Sequence, residues 1–395
     1  MAHRSSNGRG WRAYAALGFA YWVPQLYAAW RVRRDIPLVR DMPRDPHRQD
    51  WPTVSVIMTA RDEERAIEEA LRSRLSDEYP ALELIVVDDR STDRTGEIVD
   101  ALAAEHARLK AVHVDELPEG WVGKVYAMSR GLDAAAGEWI LFSDADVAVE
   151  SDFLTRIVAY AEENGFEHIA VYPSFAEANP LIDLVLTASS RVGLAGSAAW
   201  KVSDPTSKAA IGVGSFNLVK RSALDRTAGL EWLRLEIADD ISLGQMLKES
   251  GARQQLANGT GFASVDFYPT VKDALTGSER ALFTAIGNFS MARCLAIGVG
   301  LAGLELSPFI LPLARDRLVR RLGFILLGVE LTASLAFTDW LERPRWHAAL
   351  APFGAAMMGS LIARAGVIGR ARGGVYWRGT FYPTELLKPG RRFRP

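Results

Sequence analysis

The chain has 395 residues, more than one hydrophobic core usually serves, so two soluble domains or one domain plus a membrane part are expected. Apolar residues make up 49% and charged residues 24%, which excludes a disordered or highly charged tail protein. Forty-six basic against 48 acidic residues leave a net charge of −2, so nothing global attracts nucleic acid, and one cysteine, Cys294, excludes an intramolecular disulfide.

From the N-terminus, Ala13 to Trp30 is uncharged, rich in Tyr and Trp, and closed by Arg31, Arg33 and Arg34. It predicts a membrane span or a deep interfacial helix, retained because arginines follow it where a signal peptide would carry a small-residue cleavage site. Beyond it, short apolar runs alternate with longer amphipathic ones, the pattern of a parallel sheet covered by helices. Strands are expected at Val54–Met58, Leu84–Val87 and Trp139–Phe142. Helices are expected at Glu64–Leu75, at Thr92–His106 behind the cap candidates Ser91, Thr92 and Asp93, and at Asp152–Glu163. Asp273 to Arg293 mixes apolar residues with Arg280 and Arg293 and is expected at a membrane interface. Three apolar stretches follow, Cys294–Ala314, Leu322–Thr338 and Trp346–Ala363. Glu305 and Glu330 sit inside the first two, and a lone carboxylate at mid-bilayer costs roughly 2.5 kcal/mol or more, so each is expected to face protein or to be protonated. If the arginines at 315–321 and 370–394 are both cytoplasmic, two helices separate them and 294–314 is re-entrant or interfacial; the alternative of three simple spans puts one arginine cluster outside.

Each predicted strand runs into carboxylates: Asp62 and Glu63, then Asp88 and Asp89, then Asp144 and Asp146. One such cluster is an ordinary solvated turn. Three at strand C-termini converge on the crevice where open parallel sheets bind ligands. Grouped carboxylates need a cation, and Asp144-Ala-Asp146 suits a hard divalent ion, Mg or Mn, which with few protein ligands binds substrate phosphates and so points to a nucleoside diphosphate. No glycine loop of the Walker or dinucleotide type follows the first strand, which argues against kinase, NTPase and NAD chemistry. Lys124, on the glycine-flanked turn Gly120-Trp-Val-Gly-Lys124, is either a surface charge or a pyrophosphate contact. Asp239 and Asp240 precede an apolar helix, where they cap it or act as a general base toward an acceptor hydroxyl. The six histidines have no ligand spacing, which argues against zinc.

Between about Pro52 and Phe283 the chain resembles the inverting glycosyltransferases of family 2, through Thr59-Ala-Arg-Asp-Glu63, Val87-Asp-Asp-Arg-Ser-Thr-Asp93, Asp144-Ala-Asp146, Gly212-Val-Gly-Ser-Phe-Asn217 and Asp239-Asp240. The glycine-flanked turn and the flanking membrane segments are most similar to the lipid-directed branch, with its hopene-associated, carotenoid and ceramide glycosyltransferases. The resemblance implies an α/β, nucleotide-diphospho-sugar transferase (GT-A-like, Rossmann-like mixed sheet) domain with flanking transmembrane helices. It implies that Asp88 and Asp89 contact the base, that Ala60, Arg61 and Glu63 frame it, that Asp144 approaches the ribose and that Asp146 holds the metal with Asp144. Asp240 would be the base, with Asp239 replacing the family's usual glutamate, which leaves the choice between the two neighbours open. Arg90 stands where small residues are common in the family. Processive members carry a Gln or Arg, two residues, then Arg-Trp; Gly277-Ser-Glu-Arg280-Ala281 lacks the first residue and the Trp, so repeated chain extension is disfavoured.

The expected organisation is an N-terminal membrane anchor and linker at 1–50, a cytoplasmic glycosyltransferase domain at 51–272, an interfacial helix at 273–293, membrane helices at 294–369 and a basic tail at 370–395. The expected activity is metal-dependent, inverting transfer of one sugar from a nucleotide-sugar donor, taken as UDP-linked, to a lipid hydroxyl. The expected setting is the bilayer of the bacterial inner membrane, spanned more than once. The alternatives are a polysaccharide or polyprenyl-phosphate glycosyltransferase and a non-catalytic membrane scaffold.

Overall fold

In the computed structural model, residues 3–44, 48–175, 179–265, 268 and 270–394 are described. The β-branched run after Pro52 forms β1 (Val54–Ala60), and further strands are β2 (Leu82–Asp89), β3 (Leu109–Val114), β4 (Trp139–Asp144), β5 (Val147–Val149), β6 (His168–Tyr172), β7 (Ser174–Phe175), β8 (Asn217–Lys220), β9 (Gln254–Asn258) and β10 (Ala263–Val265). Seven of them make one sheet in the order β3-β2-β1-β4-β8-β6-β9, and β5-β10-β7 make a small one. β1, β2, β3 and β4 pair in parallel, as do β6 and β9, while β8 runs antiparallel to both β4 and β6. The sheet is therefore mixed, where the sequence pattern alone suggested a parallel one.

Both faces are covered, which is why the strands read as continuous apolar runs. Val56, Met58 and Val86 point into a core with Ile67 and Leu71 of helix Ile67–Leu75, Val99 and Leu102 of helix Thr95–Glu105, and Phe153 and Ile157 of helix Phe153–Asn164. Their neighbours Ile57 and Val87 point the other way, onto Gly131 of helix Gly123–Ala134. Helix Thr95–Glu105 starts later than its cap candidates suggested. Asp93 accepts hydrogen bonds from the Thr95 N–H and hydroxyl and from the Glu64 N–H, which ties Ser91–Asp93 into the loops.

The chain divides into two compact units, of which the one built on these sheets comprises Ile36–Ala176, Lys201–Phe267 and Gly374–Pro395. Its last segment is an antiparallel hairpin of β11 (Gly374–Trp377) and β12 (Thr380–Pro383), followed by the short helix Thr384–Gly390.

The other unit, Met1–Asp35, Glu177–Trp200 and Tyr268–Gly373, is helical. Helix His3–Asp35 is continuous through Pro24. Among the described residues, Arg317–Trp340 and Trp346–Arg372 are long and apolar enough to cross a membrane. Val271–Ile286 and Met291–Glu305 qualify only as a pair bent by 103°. That bend divides the expected interfacial segment into helix Val271–Ala281, a π turn at Leu282–Ile286 and the start of the next helix. Both acids of the apolar stretches face protein: Glu305 accepts from Arg191 Nη2 at 2.6 Å and from the Tyr21 hydroxyl, and Glu330 accepts from Ser334 Oγ at 2.9 Å.

Candidate active site

Strand register brings distant acids to one level. Ala60 lies opposite Asp88 and Thr59 opposite Asp144, so the carboxyl ends of β1, β2 and β4 present Arg61–Glu63, Asp88–Asp89 and Asp144–Asp146 side by side. The first two loops are locked together. Asp62 accepts from the Thr92 N–H at 2.8 Å, its own N–H donates to Ser91 Oγ at 3.0 Å, and the Glu63 N–H donates to Thr95 Oγ1 at 2.8 Å. Asp62 and Arg90 both hold left-handed backbone, φ 53° and 58°, a conformation that costs a non-glycine residue about 1 kcal/mol and persists where surroundings enforce it.

Asp88 and Asp89 are both buried, each with its own partner. Asp88 accepts from the Ser91 N–H at 3.2 Å and faces His113 Nδ1 at 3.2 Å, while His113 Nε2 meets Asp100 at 3.0 Å. Hydrogen bonds to Asp100, then to Asp88, raise the His113 pKa against the opposing effect of burial. Asp89 is gripped by two nitrogens of the Arg90 guanidinium, Nε to Oδ1 at 2.8 Å and Nη2 to Oδ2 at 3.1 Å. Arg90, for which the sequence offered no role, is thus the counter-ion of a buried acid. The pair presses on Gly123, where a Cβ would stand 2.5 Å from Asp89 Oδ2 and 2.7 Å from Arg90 Nη2. Glycine is required there because the helix start must approach the acid this closely.

One residue on, Lys124 gathers the second group. Its Nζ lies 2.7 Å from Asp144 Oδ1 and 3.5 Å from Asp239 Oδ2. A Cβ built on Gly214 would lie 3.0 Å from Asp144 Oδ2, 3.4 Å from Asp240 Oδ2 and 3.5 Å from Lys124 Nζ, so four separate segments converge. Thr59, Ser143 and Asn217 help line the same cleft. Burial would lower the Lys124 pKa, but Asp144, Asp239 and Asp240 reverse this and hold it raised. Asp239 is buried, which pushes its pKa up to about 7 against the pull of Lys124, with Asp240 and Asp144 adding to the rise. Asp240, half-buried at the helix start, is raised by burial, and its Oδ1 accepts from the Ile241 N–H at 2.8 Å.

Asp146 is pushed up to about 7 by burial, then by the charges of Asp144 and Glu63, and its buried Oδ1 has no hydrogen-bond partner. Glu63 is likewise raised by burial against the pull of Arg378, its ion-pair partner from the C-terminal hairpin. Ala60 is buried at the end of β1, and Arg61 donates from Nη1 to Thr380 Oγ1 at 3.3 Å.

Among the described residues no three His, Cys, Asp or Glu side chains form a ready cage for a metal. The orphaned Asp146 oxygen and the acid excess around it nevertheless fit a hard divalent ion held by Asp146 and Asp144, with its remaining ligands oxygens of substrate and water. Arg90, Arg378 and His113 are the residues that sequence reasoning missed as partners of these acids. The Arg378-Gly379 pair between β-rich runs was the available signal for a hairpin.

Residues 55–226 match the model of glycosyl transferase family 2. A beta-monoglucosyldiacylglycerol synthase of Nostoc sp. is 30% identical over 196 residues, 49% of this chain and 40% of that protein. A 4,4'-diaponeurosporenoate glycosyltransferase of Staphylococcus haemolyticus is 25% identical over 224 residues, 55% of this chain and 57% of that protein. The chain therefore spans about half the length of these relatives. Among solved structures, the mannosyltransferase PcManGT from Pyrobaculum calidifontis in complex with GDP-Man and Mn2+ covers 92% of this chain and 91% of its own, with 24% identity and a TM-score of 0.49. The family match takes in β1 to β8 and the acids at their ends, and stops before Asp239, Asp240 and the hairpin. Residues 55–226 are thus similar to glycosyl transferase family 2, and in this chain they build most of a mixed α/β sheet.

Proposed function

We propose that the protein is a membrane-bound glycosyltransferase that moves one sugar from a nucleoside-diphosphate donor to the hydroxyl of a lipid, with inversion at the sugar carbon. The observation that carries this reading is the meeting of Lys124 with Asp144, Asp239 and Asp240 beside Gly214, at strand ends that also bear Asp88, Asp89 and Glu63. Asp88 and Asp89 lie in the first group and would contact the base, with Ala60, Arg61 and Glu63 framing it. Asp144, fixed by Lys124, would approach the ribose.

Asp240 is the preferred base, because it is half-buried and reachable while Asp239 is buried against Lys124. Its carboxylate takes the acceptor proton as the acceptor oxygen bonds to the sugar carbon and the bond from that carbon to the diphosphate oxygen breaks. A raised pKa brings the acid closer to the working pH, which favours proton acceptance in the transition state. Lys124, set between Asp144 and Asp239, limits the repulsion between them. Asp146 and Asp144 would hold a divalent ion, Mg or Mn, which would supply charge neutralisation for the leaving diphosphate.

Two helices fit to cross a membrane, and relatives named for diacylglycerol and diaponeurosporenoate, support a lipid acceptor and membrane attachment. The arginines at 315–321 and 370–378 flank that helix pair, outnumbering Arg343 and Arg345 between the two helices, which favours a multi-pass inner-membrane protein with its catalytic unit cytoplasmic. The test is mass spectrometry of lipid extracts from membranes carrying the protein or its Asp146→Asn variant, supplied with labelled UDP- and GDP-sugars one at a time. A new glycolipid mass that depends on the intact protein is expected. A ladder of masses would replace this reading with a polymerising one, and no product from any donor would overturn it.

A further inference from the structure

We infer that Arg378, at the tip of the C-terminal hairpin, is a contact for the donor diphosphate, exchanging Glu63 for phosphate oxygens when the nucleotide sugar binds. The inference rests on the function proposed above.

The hairpin is built to hold this tip in one place. Trp377 pairs with Thr380, leaving a two-residue loop of Arg378 and Gly379 with φ 44° and 76°. Such loops follow strand twist but need left-handed backbone at both positions, which glycine tolerates and arginine does not favour. The arginine is kept there by two seats on the strand that follows it. Arg61 donates to Thr380 Oγ1 at 3.3 Å, and the Gly123 N–H donates to the Tyr382 hydroxyl at 3.1 Å. Their partners lie on the loop after β1 and at the helix start that carries Lys124. Farther on, the N–H groups of Arg392 and Phe393 donate to Glu236, whose other oxygen accepts from the Ala238 N–H at 3.0 Å, directly before Asp239. The C-terminal segment is thereby fixed near both acid groups.

Charge supplies the reason for a cation at this tip. Glu63, Asp144 and Asp146 lie close enough to feel one another's charge, and a diphosphate brought against them meets like charge. Lys124 is already engaged by Asp144 and Asp239. Arg378 pairs with Glu63 at the cleft margin, its side chain half exposed, and its charge reaches Asp146. A guanidinium matches phosphate oxygens with two parallel hydrogen bonds, so it can leave a single carboxylate for a diphosphate without losing a partner.

The test uses the full chain in detergent with Mn2+, and measures binding of UDP, GDP, UMP and GMP by calorimetry. Arg378→Ala is expected to weaken the preferred diphosphate roughly tenfold or more while leaving the matching monophosphate within about twofold. Arg378→Gln, which keeps an unbranched, polar side chain without the charge, is expected to do the same and carries the test should the alanine variant not fold. Equal loss of diphosphate and monophosphate would mean that the hairpin only shapes the cleft, and unchanged diphosphate binding would mean that Arg378 never meets it. Either result overturns the inference and leaves the proposed function standing. A wild-type protein that binds neither diphosphate overturns both.

Discussion

Replacing Asp239 by asparagine should stabilise the protein. The Asp239 carboxyl has an ordinary value of 3.8 and is pushed up to about 7, by burial first, with Lys124 opposing at 3.5 Å. A carboxyl whose pKa is higher in the folded state contributes stability below its unfolded value and loses it as pH rises through the folded one. Three pH units at 1.36 kcal/mol each put the cost of keeping it ionised above pH 7 at no more than about 4 kcal/mol. Asparagine removes that cost but also one of the carboxylates near Lys124, so about half of it, about 2 kcal/mol, is the expected gain at pH 8. For a unit of this size that is roughly 6 °C in melting temperature. Below pH 4 both chains carry a neutral group at 239 and the difference should vanish. The assay is thermal unfolding of the full chain in detergent, with chelator and without nucleotide, from pH 4 to pH 8. A variant less stable than the parent at pH 8, or a gain that does not change with pH, would refute the view that this acid is held at the site against its own stability.

Asp240→Asn should retain nucleotide binding while transfer falls by about a hundredfold or more, as expected on losing a general base; collapse of donor affinity would reassign the residue. Asp146→Asn should abolish turnover with the melting temperature unchanged or raised, and should lose the Mn2+-dependent gain in UDP or GDP affinity; normal activity would refute the metal assignment. Burial pulls the buried His168 down to about 4 from 6.5, against its hydrogen bond to Asn217. Its contribution is complete above pH 6.5 and drains away toward pH 4, up to about 3 kcal/mol, so His168→Gln should flatten the acid limb of the stability curve. An acid limb as steep as the parent's would place the sensitivity elsewhere.

The sheet and its acids were legible because their signals are local. A β-branched run ending in carboxylates, as at Val54–Ala60 or Leu82–Asp89, marks both a strand and its functional end. The reversal of β8 was not legible, since Asn217–Lys220 has too few residues to display a period and its direction is set by pairing with β4 and β6. Arg90 could not be assigned from composition, because its role depends on a φ of 58° and the bidentate grip on Asp89 that goes with it. The segment after 370 read as a basic tail because its arginines dominate its composition. The alternation Val375-Tyr-Trp-Arg-Gly-Thr-Phe-Tyr382 carried the hairpin, and its partners Glu63, Arg61 and Gly123 lie some 250 residues or more earlier in the chain.

The two acid groups differ in how their charge is balanced, and that difference divides the labour of the site. Asp88 and Asp89 have neighbours of their own, His113 and Arg90, and neither needs a ligand to be tolerated. Such a surface can bind by shape and hydrogen bonding with little change in charge, which suits a nucleobase. Asp144, Asp239 and Asp240 share Lys124 among them, and Asp146, next to Asp144, keeps an oxygen with no partner at all. Two of these four have pKa values near 7, so at neutral pH part of the group is protonated until a cation arrives. Donor and metal binding should therefore be coupled, each more favourable in the presence of the other, because the ion relieves the repulsion that the diphosphate would add to. Mn2+ should then tighten UDP or GDP binding far more than UMP or GMP binding, and release protons below pH 7 as it does so.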